Sequence, residues 1–157
     1  MPRLAIYVQI ASGVPNTPSK SQFKKWAKAA LRVDTEVTIR VVDTQEALEL
    51  NCQYRGKDYA TNVLTFALTE TPHLMGDIII CAPVVADEAN TQNIDLMKHY
   101  AHLTVHGMLH LNGFDHENEY QAELMEGLEI QILAKLGYAD PYLITEDAAQ
   151  WPPTLKS

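Results

Sequence analysis

The order of the apolar patterns constrains the fold of this chain more than any other feature of its sequence. Four strand-like segments with β-branched or alternating residues come at residues 4–11, 36–42, 63–68 and 77–81. Segments with apolar residues at helical spacing come at about 19–32, 44–51, 83–90, 94–111 and 120–136. Strands first and helices mostly later predict the α+β class, with a small mixed sheet covered by helices.

The length of 157 residues fits one domain, residues 1–157, with a core large enough to fold without disulfides. Cys52 and Cys81 are expected to be buried, reduced thiols of a cytoplasmic protein, and a single disulfide is the alternative. Pro141, Pro152 and Pro153 predict a loose tail at about 140–157. No apolar run is long enough to predict a membrane-spanning helix.

The residues that can bind a metal ion are concentrated between His106 and His116. His106 and His110 are four residues apart on a predicted helix, so their imidazoles project from one face. Gly113 can adopt a left-handed turn, which would bring His116 back as a third ligand. Three protein ligands with an open fourth position are typical of catalytic zinc sites, although imidazole also suits other divalent metals.

Two further histidines leave the choice of ligands open on helix geometry alone. His99 and His102 lie on nearly the same arc, and His102 is also four residues from His106. The Gly113 turn and His116 favour the later pair, so we expect His99 and His102 to form a partly exposed polar edge. Asp115 fits two roles equally, as a hydrogen-bond acceptor for a metal-binding histidine or as a turn residue bonded to its own backbone.

The spacing of the three histidines, H-x3-H-x2-G-x2-H, is also that of the metzincin metalloproteases. In such zinc proteases a glutamate follows the first histidine and acts as the general base. This chain has Gly107 at that position, which argues against peptide hydrolysis by that route.

The overall charge does not favour binding to nucleic acid. Lys and Arg number 12 against 20 Asp and Glu, a formal net charge of −8, whereas non-specific nucleic-acid binding favours a basic protein. The first predicted helix nevertheless carries a local group of cations, in which Lys20, Lys24, Lys28 and Arg32 recur every four residues and Lys25 lies beside them. A solvated helix face is the simpler interpretation, and a contact with RNA phosphates is the alternative.

A second charged segment precedes the third predicted strand. Arg55 and Lys57 are expected on a polar loop, where an arginine presents a planar fork of donors that matches phosphate oxygens. A surface arginine paired with a carboxylate fits the same position. Tyr54, Tyr59 and Phe66 could stack on unpaired RNA bases, but core and turn positions are the simpler interpretation of each ring.

These segments resemble the bacterial YbeY family of rRNA-maturation endoribonucleases. The resemblance rests on HGMLHLNGFDH at 106–116, YRGKDYATNVLTF at 54–66, and Gly76-Asp77-Ile78 at the start of a strand. Length and order of elements fit over nearly the whole chain. The family often has Asp and Ser where this chain has Asn62 and Thr65.

The resemblance implies a four-stranded mixed sheet packed with about five helices and a metal site at the end of a long helix. It implies that His106, His110 and His116 bind one zinc ion, and that Arg55 is the family's functionally important arginine. As a mechanistic hypothesis, Arg55 stabilises charge that develops on the phosphate, while zinc activates water or polarises a phosphoryl oxygen.

The resemblance also implies cleavage of single-stranded RNA, including ribosomal RNA, in rRNA processing and ribosome quality control. Because the acidic chain should bind RNA weakly by itself, we expect the ribosome or a ribosome-associated factor to direct it. One alternative is a non-catalytic ribosome-assembly factor, in which a protein side chain would complete a structural zinc site. A metzincin-like metalloprotease is the other alternative, which the spacing favours and Gly107 opposes.

Overall fold

The computed structural model describes residues 1–69 and 73–142, which form one mixed sheet and five helices. The strands are β1 (Leu4–Ile10), β2 (Thr35–Val42), β3 (Val63–Thr69) and β4 (Leu74–Cys81). The helices are α1 (Lys20–Ala29), α2 (Thr44–Arg55), α3 (Ala82–Thr91), α4 (Leu96–Leu111) and α5 (Glu119–Lys135). The predicted α+β class is therefore confirmed. The predicted tail lies outside the described residues from position 143 onward.

The four strands are ordered β1-β2-β4-β3. The pairs β1–β2 and β2–β4 are parallel, and β3 runs antiparallel to β4. Strand β4 is central and apolar on both faces, with Ile78 and Ile80 fully buried and Ile79 nearly so. Each face of the sheet therefore needs a cover of helices.

Helices α1 and α4 cover one face of the sheet. Phe23 and Trp26 of α1 and Leu103 of α4 join the main core cluster with Ile78 and Ile80. Helix α2 covers part of the opposite face in a smaller cluster that consists of Val42, Ala47, Leu64, Ile79 and Cys81. Helix α4 lies between the sheet, α1 and α5. Its eleven consecutive residues from His99 to Leu109 are all buried. None of the described helices is long and apolar enough to cross a membrane.

Several boundaries differ from the sequence prediction. Helix α2 continues to Arg55 and ends at Gly56, whose φ of +66° suits glycine and ends the helix. Arg55 is therefore the last residue of a helix, and its predicted position on a loop was wrong. Strand β4 begins at Leu74 inside the predicted loop, because pairing with β2 extends to Leu74. Helix α1 ends at Ala29, so Arg32 lies just beyond the helix.

The two thiols are in different environments. Cys81 is buried at the end of β4, and Cys52 is exposed on α2, so the expectation that both are buried was wrong for Cys52. Both are free thiols, which argues against the disulfide alternative. Burial raises the pKa of the Cys81 thiol.

Candidate metal centre

The C-terminal end of α4 and the turn after it bring His106, His110 and His116 together. Helix α4 ends at Leu111, and Gly113 follows with a φ of +93°. Such a backbone conformation costs glycine little, and it reverses the chain so that His116 faces the helix. Each histidine offers one ring nitrogen as a possible ligand, and these three nitrogen atoms all lie within 4.8 Å of one another.

The donors of this cluster fit a transition-metal ion. The Nε2 atom of His116 is buried and has no hydrogen-bond partner within the described part of the chain. Burial, together with the neighbouring His106 and His116, lowers the pKa of His110 to about 4, so His110 is neutral at physiological pH. Neutral imidazole is the form that binds zinc and similar metals.

Glu129 of α5 is the hydrogen-bond partner of the His106 ring. His106 Nδ1 donates to Glu129 Oε2 over 2.7 Å, while His102 Nε2 lies 2.7 Å from Oε1 and the Tyr142 hydroxyl donates to the same oxygen. Burial acts to raise the pKa of Glu129, but the hydrogen bonds and charges of His102 and His106 together bring it below its usual value. The bond to Nδ1 leaves the Nε2 lone pair of His106 available for a metal.

Glu129 did not figure among the sequence predictions, although the sequence contains a signal for it. Met125, Glu129 and Leu133 are the buried residues of α5 and recur every fourth position. A carboxylate in the middle of an apolar stripe must be paired inside the protein, because an unpaired buried charge is very unfavourable. This pattern can identify such a residue, but the sequence does not reveal its partner.

The expectation that His99 and His102 form a partly exposed edge was wrong. Each side chain is about 1% exposed. His102 is bonded to Glu129, and His99 Nε2 lies 2.9 Å from Glu88 Oε1 of α3. Burial is tolerated because each ring faces a carboxylate on a neighbouring helix, a pairing that spacing within α4 cannot reveal. Burial lowers the pKa of His102 despite the bond to Glu129.

Arg55 lies in the same pocket as the histidines. The pocket is lined by Arg55, Lys57, Tyr59, His106 and His110, with residues of β3 forming another wall. Arg55 Nη2 donates to the carbonyl oxygen of Thr65 over 3.2 Å. In residues 1–69 and 73–142 no carboxylate is within ion-pair distance of Arg55, so the alternative of a surface ion pair finds no support there.

The remaining aromatic and acidic residues near the pocket have distinct positions. Tyr59 is 46% exposed and lines the pocket, whereas Tyr54 packs edge-on against Phe66 with ring centroids 5.3 Å apart. Asp115 Oδ1 accepts from the backbone N–H of His116 over 2.7 Å. This bond corresponds to the turn role of Asp115.

Gly107 shows why the glutamate of the metzincin pattern has no counterpart here. A Cβ atom at this position would lie 3.0–3.2 Å from three side-chain atoms of Ile78 on β4. Position 107 therefore faces the sheet at close range, and a glutamate side chain would not fit between helix and sheet. Gly107 therefore allows α4 to pack closely against β4, at the position where the metzincin pattern has its glutamate.

Comparison with known proteins identifies the family. The family model described as Endoribonuclease YbeY matches residues 10–137. The Endoribonuclease YbeY of Methylobacillus flagellatus is 65% identical over 142 residues, covering 90% of this chain and 95% of that protein. That of Aromatoleum aromaticum is 54% identical over 143 residues, with 89% and 93% covered. The solution structure of TM1509 from Thermotoga maritima is 27% identical, has a TM-score of 0.55, and is matched over 88% of this chain and 99% of that one. The chain therefore belongs to the endoribonuclease YbeY family.

Proposed function

We propose that this chain is a zinc-dependent endoribonuclease that cleaves single-stranded RNA in ribosomal RNA processing and ribosome quality control. The observation that carries the proposal is the pocket itself, which places Arg55 beside His106 and His110 of the histidine cluster. A cation site next to an arginine suits phosphodiester chemistry, because negative charge increases on the phosphate as the bond breaks.

His106, His110 and His116 would hold one zinc ion. When bound, zinc would supply Lewis acidity to the phosphate and to water in the pocket. Glu129 keeps the proton on Nδ1 of His106, which orients the ring and leaves its other nitrogen free. Burial keeps His110 neutral and so also favours metal binding, because a protonated imidazole cannot act as a ligand.

Arg55 would bind the scissile phosphate. Its bond to the Thr65 carbonyl uses one N–H and fixes the side chain, and the guanidinium has five donors in all. The remaining donors can contact phosphate oxygens and stabilise the charge that develops on them. Tyr59 offers an exposed ring beside this position on which an unpaired base can stack.

The acidic composition supports a role for a partner. A chain of net charge −8 attracts bulk RNA weakly. We therefore propose that the ribosome, or a factor bound to it, brings the enzyme to its substrate in the cytoplasm.

The competing function, an assembly factor with a structural zinc, requires a fourth protein ligand. Within residues 1–69 and 73–142 the cluster of possible ligands has three members, which favours the enzyme.

A paired assay of metal content and RNA cleavage tests the proposed function. Wild type should contain near-stoichiometric zinc and cleave single-stranded RNA in a chelator-sensitive way. His110→Ala should lose both properties, whereas Arg55→Ala should keep zinc and lose about a hundredfold or more in rate. His73→Ala, at an exposed histidine outside the cluster, is the control and should behave like wild type.

Two outcomes would contradict the proposal as a whole, and a third would contradict the role of Arg55. Equal residual cleavage by wild type and His110→Ala would indicate a contaminating nuclease. Stoichiometric zinc without any cleavage by wild type would favour the assembly factor. Full activity of Arg55→Ala would remove the role of Arg55 while leaving the metal centre in place.

A further inference from the structure

Positive charge is segregated at the beginning of this acidic chain. Residues 1–33 contain six of the 12 Lys and Arg residues and none of the 20 Asp and Glu residues. The first acidic residue is Asp34, directly before β2. Such separation of sign along a chain creates a local field that the net charge conceals.

Five of these six cations form one exposed surface on and just after α1. We call this surface the basic stripe; it consists of Lys20, Lys24, Lys25, Lys28 and Arg32, all of them exposed. Within the described ranges none of the five is in an ion pair. Lys20, Lys24 and Lys28 follow one another along α1 at intervals of about 6 Å.

The composition of α1 does not match that of an ordinary solvated helix face. Exposed helices commonly alternate the sign of charge, because opposite charges four residues apart attract and like charges repel. Here Lys20, Lys24 and Lys28 repel one another, with no carboxylate anywhere on α1. A polyanionic ligand would relieve this repulsion along the whole helix.

The basic stripe leads to the metal centre, because α1 and α4 run side by side in the same direction. The Phe23 and Tyr100 rings are 6.1 Å apart edge-on near the start of both helices. At the other end, the Arg32 guanidinium lies 5.2 Å from the centre of the Phe114 ring. Phe114 belongs to the turn between Gly113 and His116, so the last cation of the stripe rests on the turn that carries the third histidine.

We propose that the basic stripe binds the phosphate backbone of the RNA strand that extends from the cleaved bond. This inference rests on the proposed function and adds a path for the substrate outside the pocket. Lysines act as point charges toward phosphates and read no sequence. The stripe would therefore increase affinity for longer RNA strands without selecting bases.

The test compares two variants of equal net charge. Lys24→Gln with Lys28→Gln removes two charges from the stripe, at exposed positions and with little change in helix propensity. The control, Gln131→Glu with Lys135→Gln, makes the same charge change at exposed positions of α5. Binding of fluorescent single-stranded RNAs of about 4 and about 20 nucleotides is measured by anisotropy over a range of salt, with chelator present to prevent cleavage. Thermal melting confirms that both variants are folded.

The stripe variant should bind the long RNA more weakly than the control variant. Its plot of log affinity against log salt should be shallower than that of wild type by about 1.4, since each lost phosphate contact on a single strand removes about 0.7. The short RNA should bind equally to all three proteins. Equal binding of the long RNA by the stripe and control variants would overturn the proposal.

Two additional readouts separate this proposal from others. Loss of binding to polyglutamate by the stripe variant, with RNA binding unchanged, would assign the surface to an acidic protein and overturn the proposal. Cleavage of the short RNA with zinc present reports on the metal centre independently. If wild type fails to cleave it, the proposed function fails, while the binding measurements still decide whether RNA lies on the stripe.

Discussion

At the scale of single residues, Glu129 orients His106 for its proposed role as a metal ligand. The Glu129 carboxylate is hydrogen-bonded to both His106 and His102, and it is fully buried. A glutamine has nearly the same shape, but it replaces one acceptor oxygen by an NH2 group that can only donate. One of the two imidazoles would then face a donor, and the tautomer of His106 would no longer be fixed.

Glu129→Gln should therefore weaken zinc binding by about 10–100-fold, the usual effect of losing such a supporting partner. Competition with a chromophoric chelator measures the affinity directly and does not depend on RNA cleavage. Glu123→Gln makes the same chemical change at an exposed position of α5 and should leave the affinity unchanged. Equal affinities for the two variants would mean that Glu129 does not tune the site.

The residues of the site differ in how far sequence alone could place them. His106, His110 and His116 lie within eleven positions, so helix periodicity and one glycine turn are enough to predict that they meet. Glu129 reaches His106 through the packing of α5 on α4, which local spacing does not encode. For the same reason His99 and His102 were expected at a polar edge, whereas each is buried against a carboxylate from another helix.

At the scale of elements, close approach between α4 and the sheet positions the histidine cluster of the candidate metal centre. Gly76 of β4 lies where an added Cβ would be 2.6 Å from Leu111 Cδ2 and 2.8 Å from the backbone oxygen of Phe66. Leu111 is the last residue of α4 and directly follows His110. The absence of a side chain at position 76 thus allows this end of the helix to reach the sheet.

Gly76→Ala should destabilise the protein by about 1–3 kcal/mol, because the backbone at Phe66 must shift to admit the methyl group. Gly127→Ala is the matched control, since a Cβ there meets nothing within 4 Å on α5. That control should be neutral or stabilising by up to about 1 kcal/mol, because alanine favours the helix. Urea denaturation of both variants gives the comparison, and a Gly76→Ala protein as stable as wild type would contradict this view of the packing.

The types of element were largely predictable, and their ends were less so. The strand segments and the long α4 follow from strong apolar periodicity. Helix α2 extends to Arg55 because Gly56 sets its end, and β4 begins at Leu74 because a neighbouring strand pairs with it. The end of α2 is thus set by a local residue that the sequence prediction did not use, whereas the start of β4 depends on pairing with a distant segment.

At the scale of the whole molecule, the buried histidines link stability to pH when no metal is bound. Burial holds the pKa of His110 at about 4 and lowers that of His102, against an ordinary value of 6.5. As pH falls below about 6.5 the unfolded chain takes up protons at both positions, whereas the folded chain takes them up only at lower pH, near 4 in the case of His110. Stability is therefore full above that pH and is lost as the pH falls toward about 4.

Chelator-treated protein should accordingly show a lower free energy of unfolding at pH 5 than at pH 7.5. Denaturant titrations at several pH values measure this dependence. His110→Ala should show a shallower slope over the same range, because one of the responsible groups is gone. A stability that stays constant between these pH values would contradict the buried, neutral state of the two histidines.

The order of the elements along the chain has a consequence for how the protein is made. All four strands, the basic stripe and Arg55 precede residue 82, whereas the three clustered histidines and Glu129 follow residue 105. Since synthesis and folding proceed from the N-terminus, a nascent chain acquires the parts that would hold RNA well before those that would hold the metal. Under the proposed function, the emerging polypeptide would have no RNA-cleaving activity until His116 has been synthesised and has joined His106 and His110.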